Sequence, residues 1–390
     1  GPGGRARPMI RDGAEVQPDE AAPERPGGAG GRARPPGKIV ERYDALLEGY
    51  EEGMRVARLE PFFRRLTGWL VPVVDRIAAA PPPDDSFLRG RFAVEAQWAF
   101  TFELLDAMGF DREAGRQDRS VHPFTLALDP GDVRLTTRVF EDQPLSAIFS
   151  TLHEAGHGVY EQGLPAEHRT SVLCAAPSMG LHESQSRLWE NMVGRSLPFW
   201  RAHLPRLAAR LPQLRGVSPE AFHRAVNKVE RSLVRTESDE LTYNLHIVLR
   251  FELELALVRG DLAVRDLPGA WNERSERILG MRPPSDALGV LQDIHWASGD
   301  FGYFPTYTIG NVYAATLFAS ARRDLPGLDD RIAAGDLRPL LGWLREKVHR
   351  VGRAATAEEI VRRASGRGLD DSDLEAYVKA KYAALYGVAL

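Results

Sequence analysis

The residues with the clearest chemistry are His153-Glu154-Ala155-Gly156-His157, an H-E-x-x-H sequence. On a helix, histidines four residues apart share one face, so both imidazoles can converge on a single metal ion. Glu154 then points beside that ion, where a carboxylate can take a proton from a water molecule. A hydrolytic site of this kind needs a third protein ligand and keeps one position open. Cys174 is the only cysteine, so the ligands must come from His, Asp and Glu. The next stretch that offers them is His182-Glu183-Ser184-Gln185-Ser186-Arg187. His182 and Glu183 project about 100° apart around a helix, so only one of them can face the metal comfortably. Residue type and spacing leave that choice open. The extended pattern with a third histidine is absent: Tyr160 and Gly163 stand where it needs a glycine and a histidine.

The element that must carry the motif is a helix over 145–162, in which Leu145, Ile148, Phe149, Leu152, Val159 and Tyr160 supply an apolar face. Glu183 falls in a second helix over 181–196. Helical periodicity begins at 38, first around Leu46, Leu47, Tyr50 and Met54, then around Phe62, Phe63, Leu66, Leu70 and Val73. Pro81, Pro82 and Pro83 break it. A helix over 87–108 carries Phe92, Trp98, Phe102 and Leu105, and Gly109 stops it. The period then shortens to two. Segments 124–128 and 133–140 alternate around Asp129-Pro130-Gly131-Asp132, which predicts a β-hairpin with Arg134, Thr136 and Arg138 on one face. Long helices are expected over 219–258, 270–280, 307–322, 337–351 and 357–383. The expected fold is predominantly α, a long-helix zincin-like metallopeptidase with a small β-hairpin beside the H-E-x-x-H helix.

Residues 1–37 differ in composition. Gly, Pro, Ala and Arg dominate them, and the hexapeptide GGRARP occurs twice. Such a segment buries too little apolar surface to fold, so 1–37 is expected to be a disordered leader and 38–390 the catalytic domain. A net charge of -4 over 390 residues argues against a nucleic-acid or membrane-surface partner. One cysteine, no run of about 18 apolar residues and no apolar signal region together predict a cytoplasmic protein.

Further motifs lie in order along the chain: His122-Pro123-Phe124, Asp132-Val133-Arg134-Leu135-Thr136, Val234-Arg235-Thr236-Glu237-Ser238-Asp239, and Gly289-Val290-Leu291-Gln292-Asp293-Ile294-His295-Trp296. With HEAGH and HESQSR they make the chain, from about Tyr43 to its C-terminus, resemble the carboxypeptidase Taq family of zinc metallocarboxypeptidases. Two positions depart from the family's I-R-x-x-A-D pattern, leaving Arg235 and Asp239 in place. The resemblance implies His153, His157 and Glu183 as metal ligands and Glu154 as general base. It also implies release of single C-terminal residues from peptides with broad specificity. One zinc per chain is expected, with cobalt or another divalent cation as alternative, and the family suggests a homodimer. His122 belongs to the substrate side of the site. Arg235, then Arg134, are candidates for holding the substrate's terminal carboxylate, because a guanidinium fork matches two oxygens. Tyr303, Tyr307 and His246 are candidates for hydrogen-bonding the oxyanion. Asp239 or Asp293, with His295 beside it, could orient a ligand histidine from behind. Family members carry a long helical N-terminal region that helps wall the substrate groove, and the leader stands in its place here. Two other readings share the metal centre: an oligoendopeptidase with an open groove, and a truncated, inactive metal-binding relic.

Overall fold

In a computed structural model the described residues, Glu41–Leu390, are built mainly from helices; residues 1–37, expected to be a leader, lie outside them. The first third runs α1 (Arg42–Leu47), α2 (Val56–Ala78), α3 (Val94–Met108), then strands β1 (Gly115–Arg119), β2 (Thr125–Asp129) and β3 (Asp132–Thr137). The motif-bearing helices follow as α4 (Pro144–Glu161) and α5 (Met179–Arg187), and then α6 (Leu197–Arg210), α7 (Pro219–Val226), α8 (Thr242–Arg259) and α9 (Leu267–Leu279). The chain closes with α10 (His295–Ser298), α11 (Pro305–Asp324), α12 (Leu328–Ala333), α13 (Arg338–Lys347), α14 (Ala357–Ser365) and α15 (Ser372–Tyr386). Among the described residues no helix is long and apolar enough to cross a membrane.

α4 is the central strut. Pro144 opens it, where a missing N–H costs nothing, and Ala147, Ile148, Leu152, Ala155 and Val159 are all fully buried along it. Two glycines let its neighbours come close. A Cβ on Gly156 would sit 2.6 Å from the Cα of Ser186 in α5, and one on Gly310 in α11 would sit 2.7 Å from the Cβ of Glu183. The helix that carries Glu183 is thus clamped between α4 and α11, with no room for a side chain at either contact.

The sheet has the order β1-β3-β2, with β3 parallel to β1 and antiparallel to β2. Val133 and Leu135 of β3 are fully buried, whereas the intervening Arg134 is exposed, as a period of two requires. The expected hairpin is present, and β1 is an addition to it. Its sequence, Gly-Arg-Gln-Asp-Arg, has no apolar alternation; its central Gln117 is buried by a hydrogen bond to Thr101 at 2.7 Å. β3 ends at Thr137, so Arg138 leaves the face it was expected to share with Arg134.

Several helices are shorter than expected. The span 219–258 is broken: α7 stops at Val226, and in the turn that leads into α8 Asp239 accepts from the backbone N–H groups of Leu241 (2.9 Å) and Thr242 (3.0 Å). No Pro or Gly marks that break. The span 357–383 is split at Gly366, whose φ of +81° caps α14. After Arg187, α5 widens into a π-helical turn, Leu188–Val193. Helix α6 was not expected, although Ser196 caps it and Phe199, Trp200, Leu204 and Leu207 recur at helical spacing.

Candidate metal centre

On α4, His153 and His157 turn their Nε2 atoms towards the Glu183 carboxylate of α5. Glu183 Oε2 lies 3.7 Å from His153 Nε2 and 3.4 Å from His157 Nε2. All three donor atoms fall within 4.8 Å of one another. Two donors each about 2.1 Å from one ion at the tetrahedral angle would be roughly 3.4 Å apart, so the spacing fits a single divalent cation.

Hydrogen bonds behind the donors set their protonation. His153 Nδ1 lies 2.9 Å from Glu190 Oε2; a carboxylate only accepts, so Nδ1 carries the proton and a neutral ring has Nε2 bare. Glu183 spends Oε1 on the Nε of Arg187 at 2.7 Å, while Oε2 accepts from the Ser186 hydroxyl at 3.2 Å and keeps a second lone pair for the cation. Burial opposes the Glu183 charge, but Arg187, His153 and His157 outweigh it and hold the carboxyl well below its usual range. Burial likewise opposes a charge on Glu190, yet Arg187 and His153 bring it down to about 2. For His153, burial disfavours the imidazolium while Glu183 and Glu190 favour it and leave its pKa raised. A cation arriving at this site would therefore displace a proton.

Glu154 lies on the neighbouring face of α4. Its Oε2 accepts from the Thr125 hydroxyl at 2.6 Å, and burial raises its pKa above the ordinary carboxylate range. Together with His153 and Glu183 it lines a cavity of about 450 Å³, whose walls carry Arg138, Arg187, Arg195 and Arg235. A larger groove of about 740 Å³ lies elsewhere, between α2, α8 and α9.

Not all the expected site residues reach this cavity. His122, Arg235 and Tyr307 line it. Arg235 is buried and bonded through Nε to Asp293 Oδ1 at 2.9 Å and through Nη1 to the Tyr243 hydroxyl at 2.9 Å. Arg134 is corrected: it sits on the outer sheet face, paired with Asp132 at 2.8 Å, because Val133 and Leu135 take the inner face. His246 is also corrected. It is fully buried with Nε2 on the Ser232 carbonyl at 3.0 Å, and burial beside Arg250 pulls its pKa down to about 3. Tyr303 packs edge-on against Tyr50 and Tyr307, and it senses the Glu183 charge without lining the cavity.

The groups expected behind the histidines have other work. Asp239 accepts from the backbone N–H groups of Leu241 and Thr242 in the turn that leads into α8, and Asp293 bridges Arg235 and Arg250, with contacts at 2.9 and 2.5 Å. His295 Nε2 meets the Tyr307 hydroxyl at 3.1 Å. Glu190 stands where Asp239 or Asp293 was expected. Sequence reasoning missed Glu190, Arg187 and Thr125; only the i, i+4, i+7 spacing of Glu183, Arg187 and Glu190 signals two of them. His182, the rival ligand, turns aside. Its Nδ1 is 2.5 Å from His157 Nδ1, and its Nε2 is 2.7 Å from Glu161 Oε1.

A helix presenting two histidines and a buried glutamate, completed by a carboxylate from the next helix, defines a metallopeptidase of the H-E-x-x-H class. A sequence profile of the carboxypeptidase Taq (M32) metallopeptidase family matches residues 33–382, and the chain belongs to that family. It is 51% identical over 348 residues to thermostable carboxypeptidase 1 of Thermus thermophilus, covering 89% of this chain and 68% of that protein. Carboxypeptidase 1 of Bacillus subtilis is 41% identical over 346 residues, covering 88% of this chain and 69% of the relative. The crystal structure of an M32 carboxypeptidase from Deinococcus radiodurans superposes with a TM-score of 0.88 at 47% identity, covering 89% of this chain and 70% of that one. The chain is a peptide hydrolase of the metallocarboxypeptidase type.

Proposed function

We propose that this chain releases single amino acids from peptide C-termini with broad specificity, using zinc held by His153, His157 and Glu183 and Glu154 as the general base. The observation that carries the reading is the convergence of His153, His157 and Glu183 on one point, with His153, Glu183 and the buried Glu154 opening onto one arginine-walled cavity. A divalent cation there supplies Lewis acidity and makes a water molecule acidic enough to lose its proton near neutral pH. The residues do the rest. Thr125 fixes one oxygen of Glu154 and leaves the other to accept the water's proton. Tyr307, at the cavity wall, is a donor for the oxyanion of the substrate carbonyl.

Preference for a chain end needs a cation that is not already neutralised. Arg187 faces Glu183 and Glu190, and Arg138 faces Glu237 at 2.9 Å. Arg235 and Arg250 share the single carboxylate of Asp293, so their cluster keeps one positive charge. That surplus supports Arg235 as the anchor for the substrate's terminal carboxylate. Localisation in the cytoplasm and assembly as a homodimer complete the proposal, on the family likeness and the single cysteine. The test is a metal-loaded protein given matched peptides with a free or an amidated C-terminus. Stepwise release of single residues from the free acids is expected. Internal cleavage of the amides at the same rate would instead make the protein an oligoendopeptidase.

A further inference from the structure

His182 is adjacent to a metal ligand in sequence, yet its ring faces away from the point where the three donors meet. Its two nitrogens are both engaged, and the chemistry of the partners dictates which protons sit where. Glu161 is a carboxylate and only accepts, so the 2.7 Å contact to Glu161 Oε1 requires a proton on His182 Nε2. In a neutral ring Nδ1 is then a bare acceptor. The 2.5 Å contact to His157 Nδ1 therefore requires the proton to be on His157, whose other nitrogen, Nε2, is left with a free lone pair directed at Glu183 Oε2. The rings are tilted 39° to one another with centroids 4.5 Å apart, and Tyr160 packs edge-on against His182 at 5.2 Å, so the relay is held by packing as well as by hydrogen bonds.

We propose that His182, backed by Glu161, is a positioning residue that fixes the tautomer and ring orientation of His157, as Glu190 does for His153. The two ligand histidines are thereby steadied by different devices, a carboxylate directly on one and an imidazole-carboxylate relay on the other. A group that orients a metal ligand from behind typically contributes a factor of 10 to 100 in metal affinity. The inference rests on the metal-centre reading above.

The test exploits the separate nitrogens of His182. An Asn side chain places its amide oxygen near the position of Nδ1 and can accept from His157; a Gln side chain reaches the position of Nε2 and keeps only the Glu161 contact. Metal affinity is measured by chelator competition on the full chain, together with the visible spectrum of the cobalt-loaded protein and the melting temperature of the metal-free protein. Expected is a loss of about 10- to 100-fold in affinity for His182→Ala and His182→Gln, with altered cobalt bands, while His182→Asn recovers most of the loss. Wild-type affinity in His182→Ala, or equal behaviour of the Asn and Gln variants at matched metal-free stability, would overturn the proposal. Should no His182 variant fold, Glu161→Ala takes their place, and unchanged affinity there overturns it equally. Failure of the wild-type protein to bind one metal per chain would instead refute the metal centre itself.

Discussion

Glu154 is held on one oxygen by Thr125 and kept out of bulk water, so its carboxylate can act on a water molecule without first being desolvated. Glu154→Gln keeps the shape and removes the basicity. Turnover should fall by about 10² to 10⁴ while the metal stays stoichiometric, and kinetics beside metal analysis would show this. Wild-type turnover in the variant would remove Glu154 as the base. Arg235 makes a second residue-scale prediction, because Asp293 is shared with Arg250 and leaves a spare positive charge at the cavity. Arg235→Ala should lower kcat/KM on free-acid peptides at least about a hundredfold, leave metal content unchanged and narrow the discrimination against C-terminal amides. An undiminished preference for the free acid would eliminate it as the anchor. At this scale His153, Glu154, His157 and the pair His182-Glu183 were legible because four-residue spacing and residue type are local. Glu190 and Thr125 were not, since the first acts from a π-helical turn and the second from a strand 29 residues before its partner.

The helices place these atoms through a contact in which backbone replaces side chain. Gly156 lies between His153 and His157 and faces α5, where an added Cβ would meet Ser186 Cα at 2.6 Å and Gln185 O at 2.8 Å. Neither neighbour can yield, because both are main-chain atoms of the helix that carries Glu183. Gly156→Ala should therefore push α5 away from α4, with a cost of about 1 to 3 kcal/mol in stability. The same displacement should weaken metal binding, since Glu183 moves and the two histidines do not. Thermal melts of the metal-free protein and chelator titrations would check both effects; a variant with unchanged melting and affinity would show that the interface is softer than its geometry. Helix α4 could be read from Ile148, Leu152, Val159 and Tyr160 because burial on one face imposes a 3.6-residue period. The break between α7 and α8 could not, because the sequence carries no breaker there and the turn before α8 is held by hydrogen bonds to the Asp239 carboxylate. Strand β1 escaped for the opposite reason: backbone pairing to β3 and a buried Gln117 hold it, with no apolar pattern to announce it.

Over the whole molecule, the predominantly helical class followed from period alone, while the ties between distant elements depend on buried acids that no local pattern reveals. Two of these join the first helix region to the rest. Glu254 of α8 accepts from the Tyr43 hydroxyl at 2.5 Å, from Trp296 Nε1 at 2.7 Å and from the Gly302 N–H at 3.2 Å. Glu51 accepts from the Gly180 N–H at the start of α5. Burial dominates both, raising Glu254 to about 7 and Glu51 to about 8 despite the hydrogen bonds that favour their charged forms. In the unfolded chain each would titrate near the ordinary value of 4.5. The folded state therefore holds protons that the unfolded state has already released, and the stability this provides is complete below about pH 4.5. It is lost as pH rises through about 7 for Glu254 and about 8 for Glu51. The metal-free protein should lose on the order of a few kcal/mol across this window from the two groups together. Melting temperature measured from pH 5 to 9 should fall towards the alkaline end, and Glu51→Gln, neutral at every pH, should flatten the decline above neutrality. A wild-type melting profile that rises over the same interval would mean that these acids are ionised in the folded protein and that their hydrogen bonds, not their burial, decide their charge.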